Sequence, residues 1–155
     1  MKFILQPLVL AAAFSLVLLA APPTLAQEHV HHHEEPAMEL ALNQGKKWPI
    51  DESLHTGMAG IKKLMSASIG DIHHHNFTAE KYQRLAGELQ GQLNYIFKHC
   101  KLPPAADGQL HILLSGMIQG VEQMKGREEQ RQGAIKIMQG LKLYPKYFDD
   151  DEWSR

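Results

Sequence analysis

Histidine, methionine and a single cysteine give this sequence its most distinctive chemistry. All ten histidines lie after residue 26, and seven of them fall in two short clusters. Copper accepts imidazole nitrogen, and thiolate or thioether sulfur selects Cu(I). Nickel and zinc also bind imidazole, so the composition predicts a metal-binding protein with copper as the favoured ion. The candidate ligands are His29, His31, His32, His33, His55, Met58, His73, His74, His75, His99, Cys100 and His111.

The first histidine cluster follows the predicted end of a signal peptide. Cleavage after Ala26 leaves a free amine with His29 in third place, an arrangement that binds Cu(II) or Ni(II) in a square plane of nitrogen atoms. Three more histidines follow at residues 31–33, and His-rich tracts are typical metal-binding compositions. The alternatives are a solvated polar tail without a ligand and cyclisation of Gln27, which removes the amine.

The second cluster, His73-His74-His75, fills a predicted turn between two helices. A turn allows adjacent imidazoles to approach one ion, which a regular helix does not. The same residues can equally lie on the surface and cap carbonyl groups at the end of a helix. The sequence leaves both interpretations open.

Residues 1–26 have the features of a cleavable secretory signal peptide. Lys2 provides a positive charge before an apolar run over residues 3–21. Pro22 and Pro23, followed by small residues up to Ala26, form the predicted cleavage region. An uncleaved membrane anchor is the alternative, because the run approaches the roughly 20 residues that span a bilayer. Pro7 interrupts the run, so we predict cleavage and a periplasmic protein that leaves the membrane.

The remaining 155 − 26 = 129 residues suit one domain. Residues 27–47 are polar, which predicts a flexible His-rich tail, and residues 48–155 form the predicted folded domain. Apolar residues in this domain recur every three or four positions, as in amphipathic helices. We predict an all-α, up-down-up-down four-helix bundle. Its helices are expected over residues 51–72, from Thr78 to about Cys100, from Pro103 to Gly126, and from Glu128 to Leu141 before Tyr144-Pro145.

This topology predicts a third candidate metal site. Because successive helices run in opposite directions, one end of the bundle contains the start of the first helix, the end of the second helix and the start of the third helix. A rise of about 1.5 Å per residue places the candidate ligands there at compatible depths. Core packing is the alternative for the two sulfur ligands, because both lie on apolar stripes. The residues brought to this end are His55, Met58, His99, Cys100 and His111.

Composition and motifs argue against several other classes of protein. Without the one basic residue of the signal peptide, the formal charge is 15 − 17 = −2. Binding to nucleic acid favours a stripe of basic residues, and this near-neutral balance argues against one. One cysteine permits no intramolecular disulfide, and no C-x-x-C-H motif is present for covalent haem. A cysteine–histidine pair is possible, but no orienting acid with an oxyanion-forming loop accompanies it, so we predict no enzyme and no haem.

Several motifs keep a distinctive order across the predicted domain. Trp48-Pro49 is followed by Leu54-x-x-Gly57-Met58-x-x-Ile61, then by Cys100-x-Leu102-Pro103-Pro104-x-x-Asp107-x-x-Leu110-His111, and a Tyr-Phe-Asp ending closes on Trp153. Over residues 48–153 this order resembles the DnrO-like group of small exported bacterial proteins, which is associated with metal-resistance and denitrification gene neighbourhoods. The resemblance implies a helical periplasmic protein linked to copper handling, with Met58, Cys100, Asp107 and His111 as the residues concerned.

Together these features predict a periplasmic protein that buffers, chaperones or sequesters a metal ion, copper before nickel or zinc. The expected partners are metal ions and a second periplasmic metal-handling protein, with no nucleic acid and no membrane after cleavage. The alternative is a helical interaction or pH-responsive module whose histidines change charge at about pH 6.5. The oligomeric state is left open by the sequence.

Overall fold

The fold consists of four α-helices joined by short loops. A computed structural model describes residues 39–153, and the predicted signal peptide and the ligands His29, His31, His32 and His33 lie outside the described residues. Consecutive helices pack against each other, and the fourth also contacts the first. The predicted all-α four-helix bundle is confirmed. The helices are α1 (Glu52–His73), α2 (Ala79–His99), α3 (Pro104–Lys125) and α4 (Gln130–Tyr147).

Local side chains explain where three of the helices begin. The Oδ1 atom of Asp51 accepts a hydrogen bond from the backbone N–H of Leu54 at 2.7 Å, which caps α1. Thr78 caps α2 in the same way, by accepting from the backbone N–H of Lys81. Pro104 occupies the first turn of α3, where its missing N–H costs no hydrogen bond. These starts agree closely with the sequence prediction.

Helix α4 extends further than the sequence indicated. It ends at Tyr147, beyond Pro145, so the predicted end at Leu141 was wrong. A proline this close to the C-terminus of a helix removes only one backbone hydrogen bond, that to the carbonyl of Leu141. Tyr144 and Phe148 are both fully buried and hold the last turn on the core, which outweighs that loss.

Two glycines allow the extensive contact between α3 and α4. A Cβ atom on Gly120 would lie 2.7 Å from the backbone oxygen of Gly133, and one on Gly133 would clash with Gly120 in return. Glycine weakens an isolated helix, yet here it lets two backbones approach closely. Helices α1 and α4 are the least closely packed of the neighbouring pairs, so α4 is held to α3 more tightly than to α1.

Replacing Gly133 with alanine is expected to lower the free energy of unfolding by about 1–3 kcal/mol, because the new methyl group overpacks the contact with α3. The matched control is Gly91→Ala in α2, where no atom lies within 4 Å of the added Cβ. That variant is expected to gain about 0.5–1 kcal/mol from helix propensity. Urea denaturation measures both effects. Changes of the same sign in the two variants would contradict the close glycine contact.

Residues 40–47, which the sequence assigned to the flexible tail, lie on the bundle. The backbone N–H of Ala41 donates to Gln109 Oε1 at 2.7 Å, and the indole Nε1 of Trp48 donates to the Ala41 carbonyl at 2.6 Å. Leu40 packs against the core beside α3 and α4. The folded domain therefore begins before Trp48, because a side chain of α3 satisfies a backbone group of this segment.

The chain after α4 folds back across one end of the bundle, and residues 148–153 are here called the C-terminal segment. The backbone N–H of Asp149 donates to the carbonyl of Trp48 at 2.9 Å, which joins this segment to the start of the domain. Trp153 is 9% exposed, and the ammonium of Lys62 lies 4.7 Å above its ring. The segment is thereby attached to α1 as well as to α4.

Candidate functional site

One end of the bundle collects the start of α1, the end of α2 and the start of α3, as predicted. Asp51 joins them, because its Oδ2 accepts a hydrogen bond from the backbone N–H of Lys101 at 2.6 Å. The thiol of Cys100 lies close enough to the same carboxylate for each group to shift the pKa of the other. Burial opposes ionisation of Asp51, but hydrogen bonds from the backbone N–H groups of Lys101 and Leu54 outweigh it and lower its pKa. Asp51 is therefore an anion held beside the thiol.

Cys100 and His111 line the same cavity at this end. Its volume is about 200 Å³, and it lies between the end of α2 and the first turns of α3. Asp107 also lines it, so a thiol, an imidazole and a carboxylate surround one small space. The other walls are apolar and are formed by Ile96, Phe97, Leu110 and Leu114.

The hydrogen bonding of His111 determines which of its ring nitrogens is available. Its Nδ1 lies 2.9 Å from the carbonyl oxygen of Asp107 and 3.4 Å from Asp107 Oδ2. A carbonyl oxygen only accepts, so Nδ1 carries the hydrogen and the lone pair of Nε2 remains free. Metal-ligating histidines are commonly oriented in this way. The ring of Phe97, with its centroid 5.7 Å from that of the imidazole, packs beside it.

The Cys100 thiol is protonated at neutral pH. Burial raises its pKa to about 12, and the neighbouring carboxylates of Asp51 and Asp107 add to the shift. The thiolate is the form that ligates metals, so binding at this position has to release a proton.

His55 belongs to a different network, which it forms with the C-terminal segment. Its Nδ1 lies 3.0 Å from both carboxylate oxygens of Asp150, and its Nε2 lies 3.7 Å from an oxygen of Glu152. The hydrogen bond with Asp150 raises the pKa of His55, although desolvation acts in the opposite direction. The hydroxyl of Tyr144 donates to the same Asp150 carboxylate at 3.0 Å. Both ring nitrogens of His55 thus face carboxylates.

Met58 and His99 also lie apart from the cavity. Met58 is 0% exposed and packs in the core of the bundle. His99 is exposed at the end of α2, where its ring packs against Tyr95 with centroids 4.8 Å apart. Of the five ligands predicted for this end, the structure therefore brings together Cys100 and His111.

The second histidine cluster lies at the opposite end of the bundle. His73 is the last residue of α1, and His74 and His75 follow it; all three are exposed, and His74 caps the helix through its backbone N–H. The rings of His73 and His74 contact each other edge to face, with centroids 5.1 Å apart. Within residues 39–153, no three His, Cys, Asp or Glu side chains are arranged so as to hold one metal ion.

Sequence reasoning missed an acidic cleft next to the cavity. The cleft has a volume of about 270 Å³, and it is lined by both the first residues of α1 and the C-terminal segment. The available signal in the sequence was the run of four acidic residues after Phe148. The lining side chains are Ile50, Asp51, Glu52, His55, Asp149, Asp150, Asp151 and Glu152.

The fold and the site define an all-α four-helix bundle with a thiol–imidazole cavity at one end. None of the helices in residues 39–153 is both long enough and apolar enough to cross a membrane. In comparisons with known proteins, no family model, no curated protein and no solved structure matches the chain.

Proposed function

We propose that this is a periplasmic copper-binding protein that takes up Cu(I) at Cys100 and His111. The observation that carries the proposal is that both side chains line one 200 Å³ cavity, although they come from different helices. Sulfur with imidazole is a donor pair that favours copper, and thiolate selects Cu(I) in particular. The function is to buffer, chaperone or sequester the ion outside the cytoplasm.

The donor set fits Cu(I) better than it fits zinc. Structural zinc sites use four protein ligands in a tetrahedron. The cavity offers one sulfur, one imidazole nitrogen and the carboxylate of Asp107, and its remaining walls are apolar. A soft ion that accepts few ligands suits this space, while Asp107 serves to orient His111 through its carbonyl group.

The protonated thiol makes Cu(I) binding dependent on pH. Because the pKa of Cys100 is about 12, each Cu(I) ion that binds at neutral pH displaces a proton from sulfur. This competition weakens the apparent affinity by about tenfold for each pH unit below the thiol pKa. A moderate affinity is what a buffer or a chaperone requires, because the ion has to be passed on.

The two histidine clusters have separate proposed roles in copper handling. The cluster at residues 73–75 is accessible to solvent and can exchange an ion with a second periplasmic metal-handling protein. The histidines at residues 29–33 are the proposed ligands for Cu(II) at the mature N-terminus. Nickel and zinc are the competing ions at both histidine clusters.

The test is an anaerobic competition titration of the mature chain with Cu(I) and a colorimetric Cu(I) chelator. Cys100→Ser and His111→Ala are each expected to weaken Cu(I) binding by more than about tenfold. His99→Ala is the matched control, because this exposed histidine is next to Cys100 in sequence and does not line the cavity. Circular dichroism checks that the three variants remain folded.

Two results would contradict the proposal. If Cys100→Ser and His111→Ala both retain Cu(I) as the parent and His99→Ala do, the cavity is not the site. If the mature chain leaves Cu(I) with the chelator at every ratio tested, it is not a copper-binding protein. Cu(I) binding that survives Cys100→Ser and His111→Ala but disappears when His29, His31, His32 and His33 are replaced would locate Cu(I) binding in the N-terminal histidines instead.

A further inference from the structure

A second candidate binding site lies on the face between α1 and α4. An open groove of about 710 Å³ runs between these two helices, which are the least closely packed neighbouring pair. Its surface is mainly apolar, and Ile72, Ile135 and Leu141 contribute to it. None of its lining residues belongs to the Cys100 cavity, so this site is distinct from the proposed Cu(I) site, although His73 of the second histidine cluster also lines it.

The floor of the groove exposes apolar surface that a ligand can cover. Ile69 and Met138 line it, with exposed fractions of 37% and 36%, and both count among the most exposed large apolar side chains in residues 39–153. Burying apolar surface is favourable by about 25 cal/mol for each Å² removed from water. An apolar ligand segment is therefore expected to bind along this floor.

The charged groups around the groove all have the same sign. Lys62, Arg131 and Lys142 line it, and no Asp or Glu does. Arg131 and Lys142 form no ion pair with any carboxylate of the described residues. The two lie 142 − 131 = 11 residues apart on α4, which corresponds to about 16 Å along the helix axis. Each end of the groove thus offers a cation to a negatively charged group.

The size of the groove favours a small molecule over a protein. Pockets for small ligands have volumes of roughly 300–1,000 Å³ and are mostly apolar with a few placed polar groups. A stable protein interface involves roughly 20–30 residues on each side. The groove is lined by 12 residues, about half of that number. The alkyl floor and the cationic ends together match a molecule with one apolar chain and one anionic head.

We propose that the α1–α4 groove binds a single-chain anionic amphiphile of the long-chain carboxylate type. The alkyl chain lies between the two helices against Ile69 and Met138, and the carboxylate meets the guanidinium of Arg131 or the ammonium of Lys142. Trp153 lines the same groove, so its indole reports on occupancy.

The test uses laurate, below its micelle-forming concentration, as the probe. The chain has two tryptophans, and Trp48→Phe leaves Trp153 as the single tryptophan. Laurate is expected to shift the emission of Trp153 in a saturable manner. Replacing both Arg131 and Lys142 with glutamine is expected to weaken binding by up to about fivefold, since the single carboxylate pairs with one of these cations and an exposed ion pair contributes up to about 1 kcal/mol. The single variants show which end of the groove holds the carboxylate.

Lys98→Gln is the matched control, because it removes an exposed cation of α2 that does not line the groove. Met138→Glu should abolish laurate binding while the far-ultraviolet circular dichroism remains unchanged. The proposal is overturned if millimolar laurate leaves the Trp153 emission unchanged. It is also overturned if the double glutamine variant binds laurate as tightly as Lys98→Gln does, or if the groove binds anionic vesicles or an acidic amphipathic peptide but not free laurate.

Discussion

Replacing Trp153 with alanine is expected to lower the free energy of unfolding by about 3–5 kcal/mol, the usual cost of truncating a buried aromatic side chain. The indole packs edge to face on Tyr144, with ring centroids 4.7 Å apart, and lies under the ammonium of Lys62. Its loss removes aromatic contact area and the cation–π interaction, and it leaves the buried Tyr144 ring partly uncovered. Equilibrium urea denaturation measures the change.

Two companion variants sharpen this experiment. Trp153→Phe retains an aromatic face and should recover more than half of the loss. Leu42→Ala truncates a side chain that is 41% exposed, so it should change the free energy of unfolding by less than about 0.5 kcal/mol. A Trp153→Ala protein as stable as Leu42→Ala would mean that the C-terminal segment does not pack on the bundle.

Replacing Asp150 with asparagine is expected to lower the free energy of unfolding by about 3 kcal/mol. The Asp150 side chain is 1% exposed and accepts hydrogen bonds from both His55 and Tyr144. Removal of its charge breaks the ion pair with His55 and weakens the bond from the Tyr144 hydroxyl. Burial raises the pKa of that hydroxyl, which stays protonated and needs an acceptor.

The same variant has a distinctive dependence on pH. Asp150 raises the pKa of His55 above its ordinary value of 6.5, so the folded protein binds more protons at this group than the unfolded chain does. The stabilisation is fully present below pH 6.5 and disappears as the pH rises through the folded-state value. Parent stability should therefore fall across this window, whereas that of Asp150→Asn should fall much less. Parallel curves for the two proteins would show that the His55–Asp150 pair does not control the titration.

The helices were largely predictable because their signals are local. Asp51, Thr78 and Pro104 start helices through contacts with residues a few positions away, and these contacts depend only on the neighbouring sequence. The end of α4 was predicted wrongly because Pro145 normally terminates a helix. Here Tyr144 and Phe148 are buried against the rest of the fold and keep the last turn helical, which local sequence does not reveal. The hydrogen bond that attaches Ala41 to the bundle was also not predictable from local sequence, since its partner Gln109 lies 68 residues away.

The candidate site was predictable in part. Helix rise and alternating direction were enough to bring Cys100 and His111 to the same end of the bundle. They did not reveal that His55 pairs with Asp150, which lies 95 residues later in the chain. Periodicity also assigned both Met58 and Cys100 to apolar stripes, yet Met58 is fully buried and Cys100 only partly so. Depth within a stripe depends on helix packing, which the sequence pattern does not specify.

The pairing of Trp48 with the residues that follow α4 has a consequence for biosynthesis. Trp48 and Phe148 are bridged although they stand 148 − 48 = 100 residues apart. During synthesis this end of the domain therefore forms only after all four helices of residues 39–153 have been made, because Asp150, the partner of His55, follows them in the chain. A chain truncated between residues 147 and 150 would contain the four helices of residues 39–153 and still leave the His55 imidazole without its counter-ion, so its defect would be confined to a single end of the bundle.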